Sequence, residues 1–216
     1  MKTKAPSPEL AQKYFRHWSQ GELYQHPEHF PRLASPAFFG NECPLDLEIG
    51  CGTGEFLCWL AAQEPEVNFV GVDVFAKALY KGVEEASEMG LENIVFIRAP
   101  IQFVYPVLPD NAIRTIYMHY PDPHLRARGQ HKIFNSPFLD EVHRVLEPGG
   151  TLSLVTDHEA LFFEEILPMV EADRRFTPLH EERYLVGYEV ALKSRYQKMW
   201  EKHEVPPLRL EVKKNG

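Results

Sequence analysis

Acidic side chains at the ends of predicted strands are the residues of this sequence best placed to do chemistry. Asp73 ends one apolar run and follows the glycine-rich segment 50–54 by 19 residues. Asp122 lies between two prolines, which restrict the backbone on both sides of it. Asp157 ends a third apolar run. A carboxylate at the end of a strand can accept hydrogen bonds from ribose hydroxyls or orient a reacting group, so these positions predict a ligand site.

The glycine-rich segment Gly50-Cys51-Gly52-Thr53-Gly54 directly follows the apolar run that ends at Ile49. Glycines at this spacing allow a tight turn and a close approach of the backbone to a ligand. A dinucleotide-binding loop has its third glycine one position later, where this chain has Glu55. A carboxylate there would repel a pyrophosphate, so the pattern favours a ligand without phosphates. A tight turn that binds nothing remains the alternative.

The elements that must position these residues alternate along the chain. Apolar patterning predicts strands at 45–49, 68–74, 94–97, 113–119 and 151–155, and helices at 55–62, 76–89, 136–146 and 159–172. Such alternation is typical of a Rossmann-like α/β fold, a mostly parallel twisted sheet with helices on both faces. Ligands of these sheets bind beyond the carboxyl ends of the strands. We expect an N-terminal arm over 1–43 and one domain over 44–216.

Composition excludes several classes of protein. The chain has 216 residues, of which 44% are hydrophobic and 25% charged, which is ordinary for a globular domain and unlike a disordered or collagen-like chain. It shows neither a membrane-length apolar run nor a signal-peptide core, so we expect a cytoplasmic protein without a membrane partner. Three cysteines without C-x-x-C spacing argue against a disulfide framework or a zinc ribbon. No metal is expected.

The net charge of −8 is unevenly distributed. Residues 44–173 hold 8 Lys/Arg against 21 Asp/Glu, whereas residues 174–216 hold 10 against 6. Within the acidic body, residues 123–139 contain Arg126, Arg128 and Lys132 without a carboxylate. This stretch is either ordinary solvated surface or a local site for phosphates.

Four motifs in this order resemble the tRNA (guanine-N7)-methyltransferase family, from about Leu45 to Val212. They are Glu48-Ile49 with the glycine loop, Tyr120-Pro121-Asp122-Pro123 followed by basic residues, Thr156-Asp157, and the tail Ser194-Arg195-Tyr196-Gln197. The glycine loop is common to many methyltransferases. The other three motifs are much more specific to this family.

The resemblance implies a class I methyltransferase fold and transfer of a methyl group from S-adenosyl-L-methionine to N7 of a guanosine in the tRNA variable loop. By position, the cofactor-binding residues would be Glu48, Gly50, Gly52, Gly54, Asp73 and Asp122. Asp122 would also be the catalytic residue, at the junction of cofactor and guanine. The substrate-binding residues would be Arg126, Asp157, Ser194, Arg195, Tyr196 and Gln197. Alternatively, Asp157 caps the helix that follows it.

The sequence departs from the family pattern at several positions. His124 stands where the family has a tryptophan, Ala99-Pro100 where it has an acid or amide, and Gln197 where it has a glutamate. Two other functions therefore stay open: a class I methyltransferase acting on a small molecule, and an inactive RNA-binding relative. The expected partner is tRNA, and the chain would be a monomer or a homodimer.

Overall fold

The computed structural model describes residues 4–121, 133–187 and 206–216. The chain divides into two compact units, residues 1–113 and 114–216. This division differs from the predicted boundary at residue 43 between an arm and a domain. That boundary stays a prediction.

The first unit alternates helices and strands along the chain. Its elements are α1 (Pro8–Tyr14), β1 (Phe15–His17), α2 (Gln20–Gln25), a 3-10 turn (Pro27–His29), α3 (Ser35–Phe39), β2 (Leu45–Ile49), α4 (Glu55–Gln63), β3 (Asn68–Asp73), α5 (Ala76–Glu88), β4 (Ile94–Arg98), α6 (Ile101–Val104) and a 3-10 turn (Tyr105–Val107).

Every described strand pair of this unit is parallel. The strands lie in the order β1, β4, β3, β2, with Leu47 opposite Val70 and Val70 opposite Val95. All residues of β2 are buried, as are the first five of β3 and the first four of β4. Strands buried on both faces are typical of a parallel sheet covered by helices, with its ligand edge at the carboxyl ends.

Two buried amides hold connecting segments to this sheet. Asn93 Nδ2 lies 2.8 Å from the carbonyl oxygen of Val67 and 3.0 Å from that of Ala61, so it satisfies carbonyls in the last turn of α4 and in the segment after it. Asn68 Nδ2 donates to Ser35 Oγ at 2.8 Å and to Asn41 Oδ1 at 2.6 Å. β1 pairs with β4, so part of the predicted arm adds a strand to the sheet of this unit.

The second unit contains the strands β5 (Ile113–His119, which begins one residue before the boundary), β6 (Leu146–Thr156), β7 (Phe176–Pro178), β8 (Leu185–Val186) and β9 (Leu208–Lys214). Its helical segments are α7 (Ser136–Val145), α8 (Glu159–Leu161), a π-helical turn (Phe162–Ile166) and α9 (Leu167–Ala172). β9 runs antiparallel to β6, β7 and β8, with Leu154 opposite Leu210.

The sequence-based bounds agree with the structure for β2, β5 and, within one residue, for α4, β3, α5, β4 and α7. β6 begins at Leu146, five residues earlier than predicted, because the chain is extended through Pro148-Gly149-Gly150. The helix predicted over 159–172 contains a π-helical turn before Pro168. Pro168 has no N–H to donate to the preceding turn, so regular α-helical bonding is interrupted there.

Candidate functional site

The loop between β2 and α4 adopts a backbone that requires glycine. Gly50, Gly52 and Gly54 have φ angles of 76°, 56° and 72°, in the left-handed region that L side chains rarely adopt. The Gly50 N–H donates to the carbonyl of Val72 at 2.8 Å, which holds the start of the loop against β3. Cβ atoms added at Gly50 and Gly52 would meet nothing within 4 Å, so the loop backbone faces open space there.

Asp73 and the glycine loop are in direct contact, as their positions at adjacent strand ends predict. Asp73 Oδ2 accepts from the Gly52 N–H at 2.9 Å, and Oδ1 accepts from the Phe75 N–H at 2.7 Å. Burial raises the pKa of this carboxyl, while the N–H groups of Phe75 and Gly52 act against that rise. Each carboxylate oxygen can accept two hydrogen bonds, so Asp73 retains acceptor capacity for a ligand.

Glu48 is a buried acid with an unsatisfied oxygen. Its exposed fraction is 4%, and among the described residues its Oε2 has no hydrogen-bond partner. Burial raises the pKa of Glu48 to about 8, with a further contribution from the charge of Asp73. A buried polar atom without a partner is costly, and a carboxyl whose pKa is also strongly raised is a candidate for a functional site.

A tight contact around Phe96 determines how closely the loop approaches α5. A Cβ at Gly54 would lie 2.6 Å from the Phe96 ring, and one at Gly82 would lie 2.8 Å from that ring and 2.9 Å from the Thr53 carbonyl oxygen. A Cβ at Gly71 would lie 2.7 Å from Cys51 Sγ. Phe96, Gly71 and Gly82 were not predicted from the sequence. A glycine within a strand and another within a helix were the available signals for a close approach.

The end of β5 has an unusual backbone immediately before the Pro-Asp-Pro motif. Tyr120 has a φ of 51°, one of two positive values among the described non-glycine residues, and its N–H donates to the Val155 carbonyl at 2.7 Å. The left-handed region is unfavourable for a bulky residue and is found where tertiary contacts enforce it, often at functional sites. Asp122 itself lies outside the described residues.

Asp157 does not cap the helix that follows it. The N-cap of α8 is His158, whose Nδ1 accepts from the Leu161 N–H at 3.0 Å, and the His158 N–H donates to Thr156 Oγ1 at 3.2 Å. The capping interpretation of Asp157 is therefore wrong, because the imidazole of the next residue occupies that role. Asp157 follows the last residue of β6 and is partly exposed, and its contact with the substrate stays a prediction.

A partly buried polar cluster in the second unit was also not predicted from the sequence. Glu211 lies 3.0 Å from Ser153 Oγ and 2.7 Å from His180 Nε2, and it is paired with Arg209. Burial, together with the charge of Arg209, lowers the pKa of His119 to about 3, so His119 is neutral at physiological pH. The signal in the sequence that could have pointed to this region was His119, which stands two positions before Pro121.

The remaining predicted site residues lie outside the described residues. They are Arg126, Ser194, Arg195, Tyr196 and Gln197, together with Arg128 and Lys132 of the basic stretch. An exposed group within the described ranges is formed by His26, Glu28 and His29. Their side-chain atoms that could coordinate a metal ion lie within 4.8 Å of one another. No helix in the described part of the chain is long and apolar enough to cross a membrane.

The sequence is similar to known methyltransferases over most of its length. Residues 42–209 match the family model described as "Putative methyltransferase". The tRNA (guanine-N(7)-)-methyltransferase of Rubrobacter xylanophilus is 46% identical over 203 residues, which cover 94% of this chain and 91% of the relative. The protein of the same name from Chloroherpeton thalassium is 39% identical over 202 residues, 93% of this chain and 89% of the relative.

Solved structures with the same fold are more distant in sequence. The antibiotic-resistance methyltransferase Kmr has a TM-score of 0.56 and 17% identity, covering 92% of this chain and 94% of that chain. A Streptococcus mutans protein solved in complex with SAH has a TM-score of 0.53 and 16% identity, covering 79% and 88%. The predicted α/β methyltransferase fold is confirmed. With relatives at 39–46% identity over nine-tenths of its length, the chain belongs to the tRNA (guanine-N7)-methyltransferase family.

Proposed function

We propose that this protein transfers a methyl group from S-adenosyl-L-methionine to N7 of a guanosine in the tRNA variable loop. The observation that carries the proposal is the 46% identity to a tRNA (guanine-N(7)-)-methyltransferase over 94% of the chain. The glycine loop and Asp73 support it, because open space beside the loop backbone and a carboxylate with spare acceptor capacity lie together at the end of β2 and β3.

The residues at this strand edge fit S-adenosyl-L-methionine. Its sulfonium and ammonium groups are positive, and Glu48 has a buried oxygen without a partner among the described residues. Its ribose hydroxyls are donors, and Asp73 has acceptor capacity left. It carries no phosphate, which agrees with an acidic residue, Glu55, at the first position of α4. The residues that would hold it are Glu48, Gly50, Gly52, Gly54 and Asp73.

When bound, this cofactor supplies an electrophilic methyl carbon on a cationic sulfur. Guanine N7 has a free lone pair and no proton, so the protein needs no strong general base. The main task of the chain is to hold N7 in line with the methyl carbon and to exclude water, and positioning of this kind can lower a barrier by about 7–11 kcal/mol.

We assign the orientation of the guanine to Asp122 and Asp157. Methylation at N7 makes the guanine positive and its N1–H more acidic. A carboxylate that accepts from this edge therefore binds the transition state more tightly than the ground state. The prolines around Asp122 and the enforced φ of Tyr120 would keep that carboxylate in place at the end of β5. Arg126 and the segment 194–197 are proposed to contact the tRNA.

Mass spectrometry of nucleosides tests the proposal. Unmodified tRNA is incubated with the protein and S-adenosyl-L-methionine carrying an isotope-labelled methyl group, then digested. We expect labelled 7-methylguanosine, and fragment mapping should place it in the variable loop. Label in a small molecule of a cell extract but not in tRNA would favour a small-molecule methyltransferase. Cofactor-independent tRNA binding with no transfer would favour the RNA-binding alternative.

A further inference from the structure

Glu48 occupies a position where an ionised carboxylate is unfavourable unless a cation joins it. The side chain is 4% exposed, and its Oε2 has no partner among the described residues. Asp73, on the neighbouring strand β3, differs from it, because both Asp73 oxygens accept backbone N–H groups. The two acids therefore have different environments at one strand edge: backbone N–H groups offset part of the burial of Asp73, whereas the Oε2 atom of Glu48 has no such donor among the described residues.

The other titratable groups around Glu48 are acids as well. Asp73 on β3 disfavours its ionisation, and Cys51 of the loop is a buried thiol whose pKa is raised by burial and then by the charge of Glu48. On the helix side, burial raises the pKa of Cys58 of α4. The charges of Glu85 of α5, of Glu48 and of Glu55 of α4 raise this pKa further. Asp73 therefore disfavours an ionised Glu48, and the two thiols, whose pKa values are raised, supply no positive charge that would stabilise one.

We propose that Glu48 is protonated while the cofactor site is empty and releases its proton when S-adenosyl-L-methionine binds. The inference rests on the proposed function and extends it to how the site distinguishes substrate from product. Burial, which raises the pKa of Glu48 to about 8, supports it independently of the ligand. The two positive groups of the methyl donor then provide the partner that the ionised carboxylate lacks.

The chemistry of the reaction reverses this exchange. N7 donates its lone pair to the methyl carbon as the carbon–sulfur bond breaks, and that bonding pair stays on sulfur. The positive charge leaves the cofactor and appears on the guanine, so S-adenosylhomocysteine has one cationic group fewer. Glu48 then recovers a proton from solvent and holds the product more weakly than the methyl donor. The acid thereby favours uptake of substrate over retention of product.

The linkage gives a defined pH dependence. If one proton leaves Glu48 for each methyl donor bound, affinity rises tenfold per pH unit below the pKa of the empty site and levels off above it. For S-adenosylhomocysteine the rise is smaller, so the ratio of the two affinities increases with pH.

Isothermal titration calorimetry of the full chain tests the inference. Each ligand is titrated at several pH values from 6 to 8.5 in buffers of different ionisation enthalpy, which yields the number of protons released. For wild type at pH 6.5 we expect close to one proton per S-adenosyl-L-methionine and fewer for S-adenosylhomocysteine. Glu48→Gln should release none and bind with an affinity that does not vary with pH. The matched control, Glu55→Gln, should still release the proton.

Each outcome decides a different question. Binding without proton release by wild type, or the same release by Glu48→Gln, would overturn the inference and leave the proposed function standing. No binding by wild type at any pH would overturn the proposed function and the inference with it. If Glu48→Gln does not fold, infrared difference spectra of wild type decide the question. Binding should remove a protonated carboxyl C=O band, and an unchanged band would overturn the inference.

Discussion

Asp73 joins the glycine loop to the segment that follows β3, because its carboxylate accepts from the N–H groups of Gly52 and Phe75. Hydrogen bonds to a charged group contribute about 1.5–3 kcal/mol each. Removal of this carboxylate should therefore weaken cofactor binding both directly, through the proposed ribose contact, and indirectly, through the loop.

We expect Asp73→Ala to weaken S-adenosyl-L-methionine binding by about ten- to a hundredfold, since a tenfold change corresponds to about 1.4 kcal/mol. Asp73→Asn keeps one acceptor oxygen and should be less affected. Calorimetric titration measures both. Glu66→Gln, which removes an exposed charge elsewhere in the same unit, is the control. Equal affinities for wild type and Asp73→Ala would remove Asp73 from the cofactor site.

Asp122 is proposed to orient the guanine and not to accept a proton from it. Asp122→Asn should lower the single-turnover rate strongly while cofactor affinity and melting temperature stay close to wild type. Asp122→Ala should be slower still, because the guanine edge then lacks its partner. If this acid only caps a turn, the melting temperature would fall together with the rate. A wild-type rate in Asp122→Ala would exclude the residue from the mechanism.

At the scale of elements, the packing of the glycine loop against α5 and β4 determines the position of the loop backbone. Gly54 combines a positive φ with a Cβ position 2.6 Å from the Phe96 ring, whereas Gly90 has a positive φ of 66° and open space. Comparison of alanine substitutions at Gly54 and Gly90 therefore separates the cost of a strained backbone from the cost of crowding, within one unit of the chain.

Gly90→Ala should lower the free energy of unfolding by about 1–2 kcal/mol, the cost of a left-handed L residue. Gly54→Ala should lower it by a further 1–3 kcal/mol or so through overpacking against Phe96, and its cofactor affinity should fall as the loop shifts. Urea denaturation and calorimetric titration measure the two effects. Phe96→Leu should recover part of the stability in the Gly54→Ala background. Equal destabilisation by the two alanines would show that the Phe96 contact is unimportant.

Across the whole molecule, Glu48 and His119 change the free energy of unfolding in opposite directions as the pH changes. Glu48 has a folded pKa of about 8, above its ordinary 4.5, so the stability it contributes declines as pH rises from 4.5 to 8. His119 has a folded pKa of about 3, below its ordinary 6.5, so its contribution is lost as pH falls from 6.5 to 3. The cofactor-free protein should be most stable where the two trends meet, between about pH 4.5 and 6.5.

Substitution of either residue should remove the pH dependence on one side of this stability profile. Between pH 6.5 and 8 the Glu48 contribution changes by about 2 kcal/mol, at about 1.4 kcal/mol per pH unit, which corresponds to roughly 4–8 °C in melting temperature. Glu48→Gln should flatten the alkaline side, and His119→Gln the acid side. Melting curves at a series of pH values measure this. His26→Gln, an exposed histidine, is the control, and an unchanged profile in both variants would contradict the assignment.

The second whole-molecule property is charge. The net charge is −8, yet salt screens distant charges beyond about 8–10 Å, so a local basic stretch can still bind phosphates. Replacement of Arg126, Arg128 and Lys132 by alanine should flatten the dependence of log tRNA affinity on log salt by nearly one unit for each phosphate that is no longer neutralised. Filter binding at several salt concentrations measures the slope. An unchanged slope would identify the stretch as ordinary surface.

Local patterns in the sequence determined five of the ten described helices and strands of the first unit. Apolar periodicity with glycine and proline at the ends predicted β2, α4, β3, α5 and β4 within one residue, because these signals depend on neighbours along the chain. The N-terminal elements were not predicted, because short helices have weak periodicity and depend on packing. The roles of Asp122 and of the segment 194–197 stay predictions.

The tertiary structure decided what sequence spacing could not. It brought Asp73 onto Gly52 and placed Phe96 against Gly54. It also gave the cap of α8 to His158, and it paired β9 with β6 in antiparallel register. Most of these contacts join residues far apart in the chain, so no local pattern encodes them. The buried oxygen of Glu48 is the clearest case: its identity as an acid is in the sequence, but its burial and its lack of a partner among the described residues arise only from how strands, loop and helices pack together.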